Sequence, residues 1–130
     1  MAATSPIQPA MKHQDLRSRT KQFALEVIRF VEGLPGDETT RVIRRQLLRS
    51  GTSVGANYRA AARGRSKADF TSKMGVVEEE ADESAFWLEL LEASGKAPKP
   101  AVGALHREAS ELVAISVSSI NTARKSGGRP

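Results

Sequence analysis

Apolar residues recur at threes and fours along most of the chain, the period of helices that bury one face. Leu16, Phe23, Val27, Phe30 and Leu34 form the first such series. Asp15 stands at its start as a cap, because its carboxylate can accept from unpaired first-turn amides. Leu34-Pro35-Gly36-Asp37 ends the series, since proline disfavours helix for the residue before it. Asp37 and Glu38 suit the next helix start, where exposed amides attract negative charge. Along the second helix Ile43, Leu47, Ser50, Val54, Asn57, Tyr58 and Ala61 fall within one arc. Arg41, Arg45, Arg49, Arg59 and Arg63 form a stripe on roughly the opposite side. Gly51 and Gly55 each cost about 1 kcal/mol relative to alanine inside a helix. Their spacing implies either close approach by a neighbouring helix or a kink.

Arg63-Gly64-Arg65-Ser66 reads as a turn, and Ser66-Lys67-Ala68-Asp69 resembles a capping box with Asp in the usual Glu position. Phe70, Met74, Val77, Ala81, Ser84, Leu88 and Leu91 then make one seam of a third helix. Val76, Phe86, Trp87 and Leu90 make a second apolar face away from that seam. A helix with two apolar faces needs neighbours in two directions, and in so small a protein one neighbour can be another subunit. Gly95 followed by Pro98 and Pro100 marks a connector. Val102, Leu105, Ala109, Leu112, Val113, Ser116 and Ile120 are in phase on a fourth helix. No alternating β-branched run or Asn-Gly hairpin signal occurs. The expectation is an all-α, up-down-up-down four-helix bundle over residues 15–124, with helices at about 15–34, 37–63, 66–94 and 100–124. Residues 1–14, with Pro6 and Pro9, read as a disordered arm, and 125–130 as a disordered tail.

Composition narrows the function classes. A chain of 130 residues fits one domain, and zero cysteines exclude disulfides, thiolate catalysis and cysteine-bound zinc. No apolar run approaches the roughly 18 residues of a membrane span, and no signal-peptide core precedes the first helix, so a cytoplasmic address is expected. The formal net charge of +5 and pI near 10.0 suggest a polyanionic partner. The charges are also polarised: basic residues dominate from Arg41 to Lys73, and acids from Glu78 to Glu92.

Little catalytic chemistry is legible. His13 and His106 have no second histidine or cysteine at ligand spacing, and Glu79 and Glu83 lack the Glu-x-x-His of di-iron bundles. Neither a metal site nor a cofactor is expected. Gly51-Thr52-Ser53-Val54-Gly55 lacks the Gly-Lys-Ser/Thr ending of a phosphate loop, and no serine sits in a nucleophile elbow. No catalytic residue is assigned, and the expected class is non-enzymatic. Gln46, Arg49, Ser50, Asn57 and Glu80 are candidates for a buried polar network that sets the register of the bundle, or that lines a ligand pocket. Arg41, Arg44, Arg45, Arg59 and Arg63 are the candidate nucleic-acid contacts, facing phosphates rather than bases because only Tyr58 is aromatic in that segment. Pairing of the same arginines with the acids of the third helix, within one chain or between subunits, accounts for them equally.

The run Gln46-Leu47-Leu48-Arg49-Ser50-Gly51-Thr52-Ser53-Val54-Gly55-Ala56-Asn57 resembles a bacterial family of small four-helix-bundle proteins. Its members were first named for reading frames in intervening sequences of large-subunit ribosomal RNA genes. The resemblance extends through Arg65-Ser66-Lys67-Ala68-Asp69-Phe70, Glu78-Glu79-Glu80-Ala81-Asp82-Glu83 and Trp87-Leu88-Glu89-Leu90-Leu91, and covers roughly residues 15–122. It implies an antiparallel bundle that assembles as a ring-like homopentamer, with a loose genomic tie to RNA. A related branch, the accessory protein of diversity-generating retroelements, binds a reverse transcriptase and nucleic acid through a basic surface. Many relatives carry a glutamate three residues after the motif asparagine; Ala60 stands there, preceded by Arg59. Val76, Phe86, Trp87 and Leu90 are the expected subunit contact. The alternative to a nucleic-acid partner is a protein partner, with the charges serving self-assembly.

Overall fold

The computed structural model describes residues 13–127, which form four helices and no strand. These are α1 (His13–Glu32), α2 (Glu38–Ala62), α3 (Lys67–Ala93) and α4 (Lys99–Gly127). Helix α1 therefore starts two residues ahead of the expected bundle boundary, and α4 runs three residues beyond it. Asp15 sits inside the first turn of α1 rather than at its cap. The remainder of the expected arm, residues 1–12, and of the tail, residues 128–130, lies outside the described residues.

The helix ends follow local chemistry. Asp37 caps α2: its carboxylate accepts from the Thr40 amide at 3.2 Å and the Thr40 hydroxyl at 2.8 Å. Those bonds, with Lys96 3.2 Å away, hold the Asp37 carboxyl down at about 2. Ser66 caps α3 by accepting from the Asp69 amide at 3.0 Å. The Asp69 carboxylate reaches back to the Arg65 amide, one residue further than a standard box. After α3, Gly95 takes φ +77°, which glycine adopts without a Cβ penalty. This lets the Lys96 amide donate to Leu91 and the Gly95 amide to Glu92, the Schellman pattern that satisfies the last carbonyls.

Each helix packs on two others, α1 on α2 and α4, and α3 on α2 and α4, with no contact across the diagonals among the described residues. Phe23, Val27, Leu47, Val54, Met74, Leu88, Leu91 and Leu112 are wholly buried at the centre. Helix α2 is unbroken at its glycines. A Cβ on Gly51 would stand 2.9 Å from Val27 Cγ2, and one on Gly55 3.4 Å from the Thr20 carbonyl oxygen. The pair admits α1 at close range, which removes the kink as an explanation. Val27 is stiff at χ1 and fully buried, so it cannot swing aside. Buried hydroxyls are satisfied within their own helices, Thr20 on the Leu16 carbonyl and Ser116 on that of Leu112.

Two consequences are measurable. Gly51→Ala should lower stability by about 1 kcal/mol or more, because overpacking against Val27 exceeds the helix-propensity gain. Gly75→Ala, whose Cβ would meet nothing within 4 Å, should raise it by up to about 1 kcal/mol; chemical denaturation of both variants checks the opposite signs. Asp37 titrates below its ordinary value near 4, so its contribution is complete above about pH 4 and is lost as pH falls towards 2. Asp37→Asn keeps a cap and should flatten the pH dependence of Tm within that window.

Candidate functional site

The outer face of α2 is set by what lies beneath it. Ile43, Leu47, Ser50, Val54, Tyr58 and Ala61 are buried, and Asn57 is half-buried beside them. The opposite side carries Arg41, Arg45, Arg49, Arg59 and Arg63, all exposed. Arg44 lies off this line, half-buried, and donates to the Pro35 carbonyl at 3.4 Å. Arg41 pairs with Glu38 one turn earlier at 3.4 Å, both well exposed, a geometry that contributes little. Arg45, Arg59 and Arg63 have no acidic partner among the described residues.

Arg49 differs. Its guanidinium spans to α3, reaching Glu83 at 2.5 Å and Glu80 at 3.4 Å. These carboxylates, Glu83 foremost, raise its pKa above the ordinary arginine value. Glu83 also accepts from the Trp87 indole at 3.1 Å, and Trp87 meets Phe86 edge-on with ring centroids 5.0 Å apart. The arginine stripe and the second apolar face of α3 are thus joined through one carboxylate. On that face Phe86 is 48% exposed, while Val76, Trp87 and Leu90 are half-buried.

The expected buried polar network divides into separate pieces. Only Ser50 is buried; Arg49 is half-exposed and Glu80 is 18% exposed. Asn57 bonds the Ser53 carbonyl of its own helix at 2.9 Å, and Gln46 is half-buried with no side-chain bond among the described residues. Reach decides their role: a long arginine spans outward to acids on α3, whereas a short asparagine closes on its own turn. Ser50 instead meets Ser84 at 2.8 Å in the buried interface of α2 and α3. Sequence inspection placed Ser84 on the seam without pairing it.

A second cluster had no sequence signal. Arg19 on α1 binds Glu108 at 2.6 Å and also Glu111, across the seam between α1 and α4. Glu108 is the larger influence raising the Arg19 pKa. Beside it a cleft of about 560 Å³ opens, lined by the buried Phe23 and the exposed Asp15 and Glu26. Residues 89 positions apart meet here, and nothing in the local pattern announces it. His106 pairs with Glu89 at 2.7 Å. Among the described residues no group of three His, Asp or Glu is placed to hold a metal ion, and no helix is long and apolar enough to cross a membrane.

Ser50→Ala and Ser84→Ala should each cost about 0.5–1.5 kcal/mol. The double variant should cost less than their sum because the two hydroxyls share one bond, as a denaturation cycle would measure.

A family model for the 23S rRNA-intervening sequence protein matches residues 12–118. Among solved structures, a protein of unknown function from the S23 ribosomal protein family of Bacteroides thetaiotaomicron is 30% identical, with a TM-score of 0.76. That match covers 81% of this chain and 97% of the other. No curated protein matches.

Proposed function

The chain belongs to the 23S rRNA-intervening sequence protein family, and on that premise we propose that it is a non-enzymatic, nucleic-acid-binding homo-oligomer of the cytoplasm. Arg41, Arg44, Arg45, Arg59 and Arg63 contact the phosphates of structured RNA or another nucleic acid. The observation that carries this reading is the exposure of Arg45, Arg59 and Arg63 along one helix face without acidic partners among the described residues. Cations left unpaired at a surface are available to displace counterions from a phosphate backbone. Near-absence of exposed aromatic groups on that face favours backbone contact over base stacking.

The bundle runs antiparallel, up-down-up-down, and assembles as a homopentameric ring. Asp37 ahead of α2 meets Lys96 after α3, Ser50 meets Ser84 at mid-length, and Gly64 lies against Phe70, a register expected of antiparallel neighbours. Val76, Phe86, Trp87 and Leu90 form the subunit contact, since an aromatic group as exposed as Phe86 gains from burial. A second reading, a protein-interaction scaffold whose charges serve assembly alone, draws on Arg49, which spends its charge on Glu80 and Glu83.

Replacing all five proposed contact arginines with glutamine should abolish binding of a structured RNA while leaving helical content unchanged. Retained binding would remove the stripe as the site, and loss of the oligomer without any wild-type RNA binding would establish the scaffold reading. Phe86→Ser with Leu90→Ser should reduce the mass measured by light scattering to that of a monomer. An unchanged mass would place the subunit contact elsewhere.

A further inference from the structure

The two ends of the bundle differ in charge. At one end the Arg63–Ser66 turn joins α2 to α3, and the other helix ends gather around it. Gly55, late in α2, lies against Thr20, early in α1, and Arg17 acts electrostatically on Tyr58. On the far side, a groove of about 360 Å³ brings Arg124 of α4 beside Thr71 and Ser72 of α3. Arg17, Lys21, Arg59, Arg63, Arg65 and Arg124 are all exposed here, and none forms an ion pair among the described residues. The nearby carboxylate of Asp69 is engaged by Lys73 at 2.6 Å. At the opposite end, cations are interspersed with acids and two are paired with them: Arg41 with Glu38 and Lys96 with Asp37.

We infer that the phosphate-binding surface is centred on this turn end of the bundle and extends beyond α2 onto α1, the connector and α4, where Arg17, Lys21, Arg65 and Arg124 take further phosphates of the same duplex. The inference rests on the nucleic-acid reading of the α2 stripe and adds four residues to it. Cations converging from four chain segments present charge over a broad face, which suits the closely spaced phosphates of a folded or double-stranded polyanion. The groups flanking the turn are small or polar, Ala62, Gly64, Ser66 and Ala68, and Val117 in the Arg124 groove, 38% exposed, is a single short side chain with little apolar surface to insert into a lipid interface.

The test measures binding of a fluorescent RNA duplex across a salt series by R17Q/K21Q/R65Q/R124Q, which leaves every α2 arginine in place. An R29Q/K99Q protein, altered at exposed cations of the opposite end, serves as the control. The turn-end variant should bind at least about ten-fold more weakly, and its log–log salt slope should fall by about three. The control should match wild type. If the turn-end variant keeps wild-type affinity and slope, this inference is overturned while the α2 stripe stands. If wild-type protein ignores the duplex at low salt, or binds only phosphatidylserine vesicles, both readings are overturned together. Circular dichroism of each variant verifies that lost binding is not lost fold.

Discussion

The missing side chains at Gly51 and Gly55 fix the rotational setting of α2, and the rest of the molecule follows from it. Val27 and the Thr20 backbone lie where a Cβ would otherwise stand. With that edge committed to α1, Leu47, Val54 and Tyr58 must face the centre and Ser50 must face α3. The opposite edge, bearing Arg41, Arg45, Arg59 and Arg63, has nowhere to point but solvent. A packing requirement thereby sets the direction of the charged surface.

Helix α3 imposes the second constraint. Its inner seam of Met74, Val77, Leu88 and Leu91 is satisfied within the chain, but Val76, Phe86, Trp87 and Leu90 lie elsewhere on its circumference. Glu83 holds the Trp87 indole and the Arg49 guanidinium together, so the apolar face of α3 is anchored to the basic helix beside it. A displaced α3 would break the bridge to Arg49, whereas the Trp87–Glu83 bond, internal to α3, would move with the helix. The proposed assembly through α3 and the proposed recognition through α2 would share the Arg49–Glu83 bridge.

Much of this was legible from residue spacing. The second, third and fourth apolar series read from periodicity coincide with buried faces at all but one residue each, Asn57, Phe70 and Val113 being half-buried, because burial in a small bundle is dictated by a 3.6-residue repeat and little else. The first fits less well: Phe30 and Leu34 are half-buried and Val31 is buried instead. Proline and glycine marked the connectors correctly for the same local reason. The helix ends were less legible: α1 begins before Asp15 and α4 outlasts Lys125, since terminal turns depend on weak balances that spacing does not report. The polar residues were harder still. Asn57, beside the buried arc of α2, closes on its own backbone, whereas Arg49, on the exposed side, crosses to Glu80 and Glu83. Arg19 with Glu108 and Glu111 went unread because it joins the two ends of the chain.

Charge organisation is the property that links fold to function. Pairing consumes Arg49, Lys73, Lys96 and Arg19, while on the outer face of α2 and the turn end beside it Arg45, Arg59, Arg63, Arg17, Lys21, Arg65 and Arg124 have no acidic partner among the described residues. The most direct measurement titrates the wild-type protein with a structured RNA from about 50 mM salt upwards, with oligomer mass determined on the same sample. The account predicts binding by an assembled species whose affinity falls steeply and linearly with the logarithm of salt concentration. An assembled protein that binds no RNA at the lowest salt would contradict it.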